Sequence, residues 1–83
     1  MMFLLDTNKR ESLSQEESER AVRVARITAL AETVFGDPAQ ALRWLRKPKQ
    51  RFEGRPPLEL LATETGARLV EEMLYQIDEG LFA

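Results

Sequence analysis

The side chains able to do chemistry in this 83-residue chain are carboxylates, lysines, arginines and one tyrosine, because it contains neither cysteine nor histidine. Thiol nucleophiles, imidazole bases and the usual zinc ligands are therefore excluded. The adjacent acids Glu71 and Glu72 do not converge on one point if they lie on a helix. The four glycines are too scattered for a phosphate-binding loop. We therefore expect that the protein is not an enzyme and that it has no catalytic, cofactor-binding or metal-binding residue.

A second chemical feature is the basic loop, residues 43–55, in a chain whose formal net charge is −2. It is consistent with a nucleic-acid-binding or regulatory helical module, or with a charged rim for an acidic partner. Phe52 is its only aromatic residue outside the preceding helix, and the gap between the flanking helices is too long for a helix-turn-helix turn. We therefore favour a solvated loop or a charged rim. The rim candidates are Arg46, Lys47, Lys49 and Arg51.

The last three residues, Leu81, Phe82 and Ala83, follow Gly80, a residue type that often ends a helix. Extended, three residues reach about 10 Å. They combine apolar side chains with a carboxylate, which suits a cleft that takes a dinucleotide phosphate. The alternative is local: Leu81 folds back on the last helical turn and Phe82 frays. The residues alone favour this alternative.

Helical periodicity must position these features, since no segment shows sustained alternation of apolar and polar residues. The first helix is predicted over residues 14 to 35. Ser14 and Glu17 form a capping box at its start, and Gly36 ends it. Glu19 and Arg23 lie four residues apart, the spacing of an exposed ion pair.

Three further helices are predicted, which gives an all-α domain of about four helices, two longer and two shorter. They are a helix from Asp37-Pro38 to just before Pro48, a short stretch at 58–62, and a helix from the N-cap Thr63 to Gly80. Trp44 is expected to pack in the small core. We expect residues 14–83 to form the domain and residues 1–13 to be a flexible segment.

Four strings of residues, in order, carry a family resemblance. They are residues 31–38 (AETVFGDP), 41–45 (ALRWL), 54–61 (GRPPLELL) and 63–66 (TETG). Their order and spacing resemble the antitoxin Xre/MbcA/ParS toxin-binding domain. The likeness covers about residues 13 to 83, nearly the whole chain.

The resemblance implies an antitoxin of a type II toxin–antitoxin module. Its partner would be a RES-domain toxin that degrades NAD or transfers ADP-ribose from it, bound within a hetero-oligomeric complex in which the antitoxin forms a homodimer. The C-terminal end of the domain would lie in the toxin's NAD pocket, so we then expect Phe82 and Ala83 to enter the toxin. The implied toxin-binding residues are Tyr75, Gly80, Leu81, Phe82 and Ala83.

Two expectations concern location and DNA. Longer family members carry an N-terminal helix-turn-helix domain that binds the operator, but only about a dozen residues precede the first predicted helix here. DNA binding is therefore not expected of this chain alone. The longest apolar run, residues 1–5, is too short for a membrane span or a signal-peptide core, so we expect a cytoplasmic protein.

Overall fold

The computed structural model describes residues 14–80, which begin with helix α1, Gln15–Phe35. The hydroxyl of Ser14 accepts a hydrogen bond from the amide of Glu17, and the Glu17 carboxylate accepts one from the amide of Ser14, both at 3.0 Å. This is the predicted capping box. Gly36 ends the helix with a φ of 72°, a left-handed conformation that favours glycine.

Helix α2, Pro38–Arg46, starts two residues later and packs against the C-terminal half of α1. The Asp37 carboxylate caps it by accepting from the amides of Ala39 and Gln40, and Pro38 occupies a first-turn position that needs no amide hydrogen. The Phe35 and Trp44 rings, from α1 and α2, lie 5.8 Å apart. The prediction that the second helix begins at Asp37-Pro38 is confirmed.

The loop after α2 is more ordered than its sequence predicted. It contains a 3-10 turn, Gln50–Phe52, and left-handed residues Glu53 and Gly54. The Lys49 amide donates to the Arg55 carbonyl at 3.2 Å, which closes the loop with one isolated antiparallel bridge. The sequence predicted only an irregular connection, because a turn of three residues leaves no periodic signal.

Two helices complete the chain: α3, Pro57–Leu60, and α4, Glu64–Asp78. The short helix thus begins one residue before the predicted 58 and ends two residues before the predicted 62. The hydroxyl of Thr63 caps α4 by accepting from the Gly66 amide at 3.0 Å. Helices α1 and α4 have 21 and 15 residues, and α2 and α3 have nine and four. The all-α prediction of two longer and two shorter helices is confirmed, and residues 14–80 form no strand.

The core lies where α1, α2 and α4 meet over the end of α3. Trp44 and Phe52 are partly buried and pack against its edge, so the predicted packing role of Trp44 is confirmed. The fully buried hydrophobic residues of the described chain are Ile27, Ala31, Ala41, Leu45, Leu61, Ala67, Val70 and Leu74.

The prediction of an exposed ion pair between Glu19 and Arg23 is wrong. Arg23 is only 7% exposed, and its guanidinium donates to the carbonyl oxygens of Leu61 at 2.9 Å and Ala62 at 2.8 Å. Helical spacing allows Glu19 and Arg23 to pair, but two backbone carbonyls near the core accept hydrogen bonds from the Arg23 guanidinium instead.

Gly66 marks the closest approach between α3 and α4. An added Cβ at this position would overlap the carbonyl oxygen of Leu60 and would lie 2.9 Å from its carbonyl carbon. The absence of a side chain at Gly66 therefore allows this close packing of α4 against the end of α3. Within residues 14–80, no helix combines the length and apolar character needed to cross a membrane.

Candidate functional site

The C-terminal end of α4 carries the predicted binding residues that the structure describes. Tyr75 is 50% exposed. Gly80 adopts a φ of 85° after the C-cap Glu79, and its amide donates to the Ile77 carbonyl at 2.9 Å. The helix end expected at Gly80 is thus confirmed. Leu81, Phe82 and Ala83 lie outside the described residues, and contact of this end with a toxin stays a prediction.

The solvent-facing side of α4 exposes a second large apolar residue, Leu69, which the sequence analysis did not select. It is 48% exposed and lies six residues before Tyr75, which places it almost two turns, about 9 Å, away along the helix. A signal for it was present. Leu69 falls outside the buried stripe formed by Ala67, Val70 and Leu74, so an apolar residue there has no core position to fill.

Two shallow depressions lie on the surface of α4, and Leu69 and Glu72 separate them and line each of them. We call the surface formed by Leu69, Glu72, Tyr75 and Gln76 the α4 outer face. The first depression faces α1 and is also lined by Arg26, Glu64, Arg68, Glu71 and Tyr75. The second faces the 3-10 turn and is also lined by Arg51, Phe52, Met73 and Gln76. The second depression brings the rim candidate Arg51 beside the α4 outer face.

Helix α4 is itself predominantly acidic, whereas the surroundings of its outer face carry charges of both signs, because Arg26, Arg51 and Arg68 also line the two depressions. Residues 64–79 contain five acids and one arginine, Arg68. Glu64 accounts for the ion pairs of this region, with Arg26 at 3.5 Å and Arg68 at 4.0 Å. Among the described residues no ion pair involves Glu72, although Arg68 lies four residues before it on the same helix. Its carboxylate is exposed and available to a partner.

The rim candidates do not form one row of equivalent cations. Arg46 and Lys47 are exposed where α2 ends, whereas Lys49 is half-buried with its Nζ 4.8 Å from the centre of the Trp44 ring. Burial lowers the pKa of Lys49, and the neighbouring charge of Lys47 lowers it further. Arg55, from the same loop, pairs with Glu59 at 3.4 Å. Part of the basic loop's charge is therefore used within the molecule, which weakens the nucleic-acid interpretation.

Residues 14–80 offer no group of three or more carboxylates, histidines or cysteines placed to hold a metal ion. In the same range every buried side-chain nitrogen and oxygen has a hydrogen-bond partner. The described features are those of a small helical binding module, with exposed apolar side chains and an acidic surface on one helix.

Comparison with known proteins identifies the family to which this small helical module belongs. The model of the antitoxin Xre/MbcA/ParS C-terminal toxin-binding domain matches residues 30–80. The chain belongs to this family, which confirms the resemblance carried by the four strings. The matched region holds the C-terminal part of α1 and all of α2, α3 and α4.

Three curated relatives are similar over most of this chain. The antitoxin Xre of Pseudomonas putida is 53% identical over 70 residues, 84% of this chain and 44% of that protein. The antitoxin Xre of Yersinia enterocolitica is 38% identical, over 82% of this chain and 47% of that protein. A Prs ADP-ribosylating antitoxin of a Sphingobium species is 33% identical, over 88% of this chain and 52% of that protein. The chain spans about half the length of the curated relatives it matches.

Proposed function

We propose that this chain is an antitoxin that binds and neutralises a RES-domain, NAD-consuming toxin. The observation that carries the proposal is the match of residues 30–80 to a toxin-binding domain. The proposed action is therefore binding and occlusion of another protein's active site.

The C-terminal end of α4 is proposed to block the NAD pocket. The left-handed Gly80 marks the point where the chain leaves the helix, and we propose that the three residues that follow it in the sequence enter the cleft. Tyr75 is five residues before Gly80, about 7.5 Å along the helix, and is exposed beside this exit. We assign toxin contact to Tyr75, Gly80, Leu81, Phe82 and Ala83.

The reaction that the toxin performs is either degradation of NAD or transfer of ADP-ribose from it. The name of the Sphingobium relative, a Prs ADP-ribosylating antitoxin, supports a link between this antitoxin family and ADP-ribosyl chemistry. In the proposed complex the antitoxin is a homodimer within a larger assembly with the toxin. The domain that binds is proposed to span residues 14–83.

The first experiment is a pull-down of the tagged chain from the organism that encodes it, with mass spectrometry of the retained proteins. We expect a RES-domain protein in stoichiometric amount. Retention of nucleic acid alone, released by salt, would instead favour the basic loop as the working surface. Failure to retain any RES-domain protein would contradict the proposal.

Deletion of residues 81–83 tests the blocking step with the recovered toxin. We expect the shortened chain to bind the toxin but to leave much of its NAD consumption intact. Val22→Ser is the matched control, because Val22 is 63% exposed and lies outside the region matched by the family model. Equal inhibition by the shortened and full chains would contradict the pocket-blocking role of the tail while leaving the antitoxin function in place.

A further inference from the structure

The α4 outer face exposes two large apolar side chains next to a carboxylate, and no contact within residues 14–80 explains why these side chains face solvent there. We propose that it is a docking surface for the toxin, distinct from the tail that blocks the pocket. This inference rests on the proposed function and adds to it a second, separable contact area. Leu69 and Tyr75 would anchor it, with Glu72 between them.

The distribution of exposed apolar residues is the first argument. The described chain has four large hydrophobic side chains that are strongly exposed: Val22, Leu42, Leu69 and Tyr75. Helices α1 and α2 each carry one of them, and α4 carries two, which line the same surface depression. Isolated exposed apolar residues are common on any protein, whereas exposed apolar residues grouped in one patch mark an interaction surface more often.

The shape of the surface is the second argument. Leu69 and Glu72 line depressions on both of their sides, so they form a ridge with Tyr75 at one flank and Phe52 at the other. A ridge of this kind fits a groove in a partner, with the side chains at positions 69, 72 and 76 facing it at helical spacing. Tyrosine is among the residue types that contribute most to binding when a partner buries them.

The choice of the toxin as occupant comes from the extent of the family match and from charge. Residues 30–80 contain the whole α4 outer face and exclude Val22. The face also runs directly into Gly80, where the proposed blocking tail begins. Residues 64–79 contain five acids and one arginine, so this segment stays net negative even with Arg26 and Arg51 beside its outer face. A toxin cleft that binds the diphosphate of NAD needs positive groups around it. The net negative charge of α4 complements such a positive surface.

The test is site-specific photocrosslinking in the organism that encodes the chain. A benzophenone amino acid replaces Leu69 or Tyr75 in the tagged full chain, and Leu42 or Val22 in matched controls with similar exposure. We expect adducts with a RES-domain protein from positions 69 and 75 and none from 22 and 42. An adduct with an unidentified protein does not count in favour of the proposal.

The other outcomes separate the two proposals. RES-domain adducts from position 42 or 22, but not from 69 and 75, would overturn the docking surface and leave the antitoxin function standing. Adducts of positions 69 and 75 with a second copy of this chain would make the face a homodimer interface and overturn the inference. Absence of RES-domain adducts at all four positions, together with no RES-domain protein in the pull-down, would overturn both.

Affinity measurements with the recovered toxin then distinguish docking from blocking. Leu69→Ser and Tyr75→Ser should each raise Kd about tenfold or more, as truncation of a central anchor does. Inhibition by saturating Leu69→Ser antitoxin should stay complete, because Tyr75 and the tail are unchanged in this variant. Leu42→Ser should leave Kd within about twofold. Circular dichroism confirms that each variant folds, and a Kd unchanged by both α4 substitutions would overturn the inference.

Discussion

The guanidinium of Arg23 donates from its Nε to the carbonyl oxygen of Leu61, 2.9 Å away and 38 residues later in the chain. Its Nη2 donates to the next carbonyl, that of Ala62, at 2.8 Å. The carbonyls of the last three residues of α3 accept from the amides of residues 61–63, whereas the two acceptors of Arg23 are the C-cap residue Leu61 and the residue after it. One arginine from α1 therefore caps the segment that connects α3 to α4.

Arg23→Met should destabilise the fold by about 2–4 kcal/mol, because it leaves two carbonyl oxygens near the core without their charged donor. The free energy of unfolding can be measured by urea titration with far-ultraviolet circular dichroism. Arg20→Met, on the exposed turn before it, is the control and should change the stability by less than about 0.5 kcal/mol. Equal losses in the two variants would contradict the capping role of Arg23.

Gly66→Ala tests the contact between α3 and α4. Helix propensity alone predicts a gain of about 1 kcal/mol from this change inside a helix. We expect the opposite sign, a loss of about 1–3 kcal/mol, because the new methyl group would overlap the Leu60 carbonyl and force the two helices apart. The measurement is again the free energy of unfolding.

Thr65→Ala is the control for that variant, since Thr65 lies in the same turn and is exposed. It should be neutral or slightly stabilising. A Gly66→Ala protein as stable as Thr65→Ala would mean that the close approach of α3 and α4 relaxes without cost.

Local signals predicted most of the fold, and contacts between distant residues account for what they missed. The capping box at Ser14 and the left-handed Gly36 depend on a few neighbouring residues, and both were predicted. Arg23 was assigned to Glu19 from their four-residue spacing. The assignment failed because the true acceptors are carbonyls near the end of another helix. No helical period contains that information. Leu69 is a different case, because helical spacing alone places it outside the apolar stripe of α4.

Lys49 gives the stability a dependence on pH. Burial lowers its pKa in the folded protein below the ordinary value of 10.5, so the unfolded chain holds this proton more tightly. At neutral pH the folded protein bears the full free-energy cost of keeping Lys49 charged. This cost is lost as the pH rises past the folded pKa towards 10.5. The free energy of unfolding of the natural chain should therefore rise, relative to that of Lys49→Met, as the pH approaches 10.5.

The comparison needs urea titrations of both proteins at several pH values between 7 and about 10.5. Arg46→Met is the control, because an arginine keeps its charge over this range. Its stability should follow that of the natural chain in parallel. A constant difference between Lys49→Met and the natural chain at all pH values would show that burial of Lys49 does not penalise its charge.

Gly80 connects the fold to the proposed blocking of the NAD pocket. Its φ of 85° is costly for a residue with a Cβ, by about 1–2 kcal/mol, and asparagine tolerates it best among the others. In Gly80→Ala the last turn should therefore reorient or fray, so that residues 81–83 leave α4 in a different direction. Inhibition of NAD consumption by the recovered toxin should weaken, and Gly80→Asn should restore much of it.

Gly54→Ala is the matched control, because Gly54 has a nearly identical φ of 84° and, like Gly80, has open space where a Cβ would be. It should lower the free energy of unfolding by about 1 kcal/mol and leave inhibition unchanged, since the basic loop does not direct the tail. Titration of toxin activity with each variant gives the comparison. If Gly80→Ala inhibits as well as Gly54→Ala, the direction in which the chain leaves α4 does not matter, and the tail must find the pocket by its own flexibility.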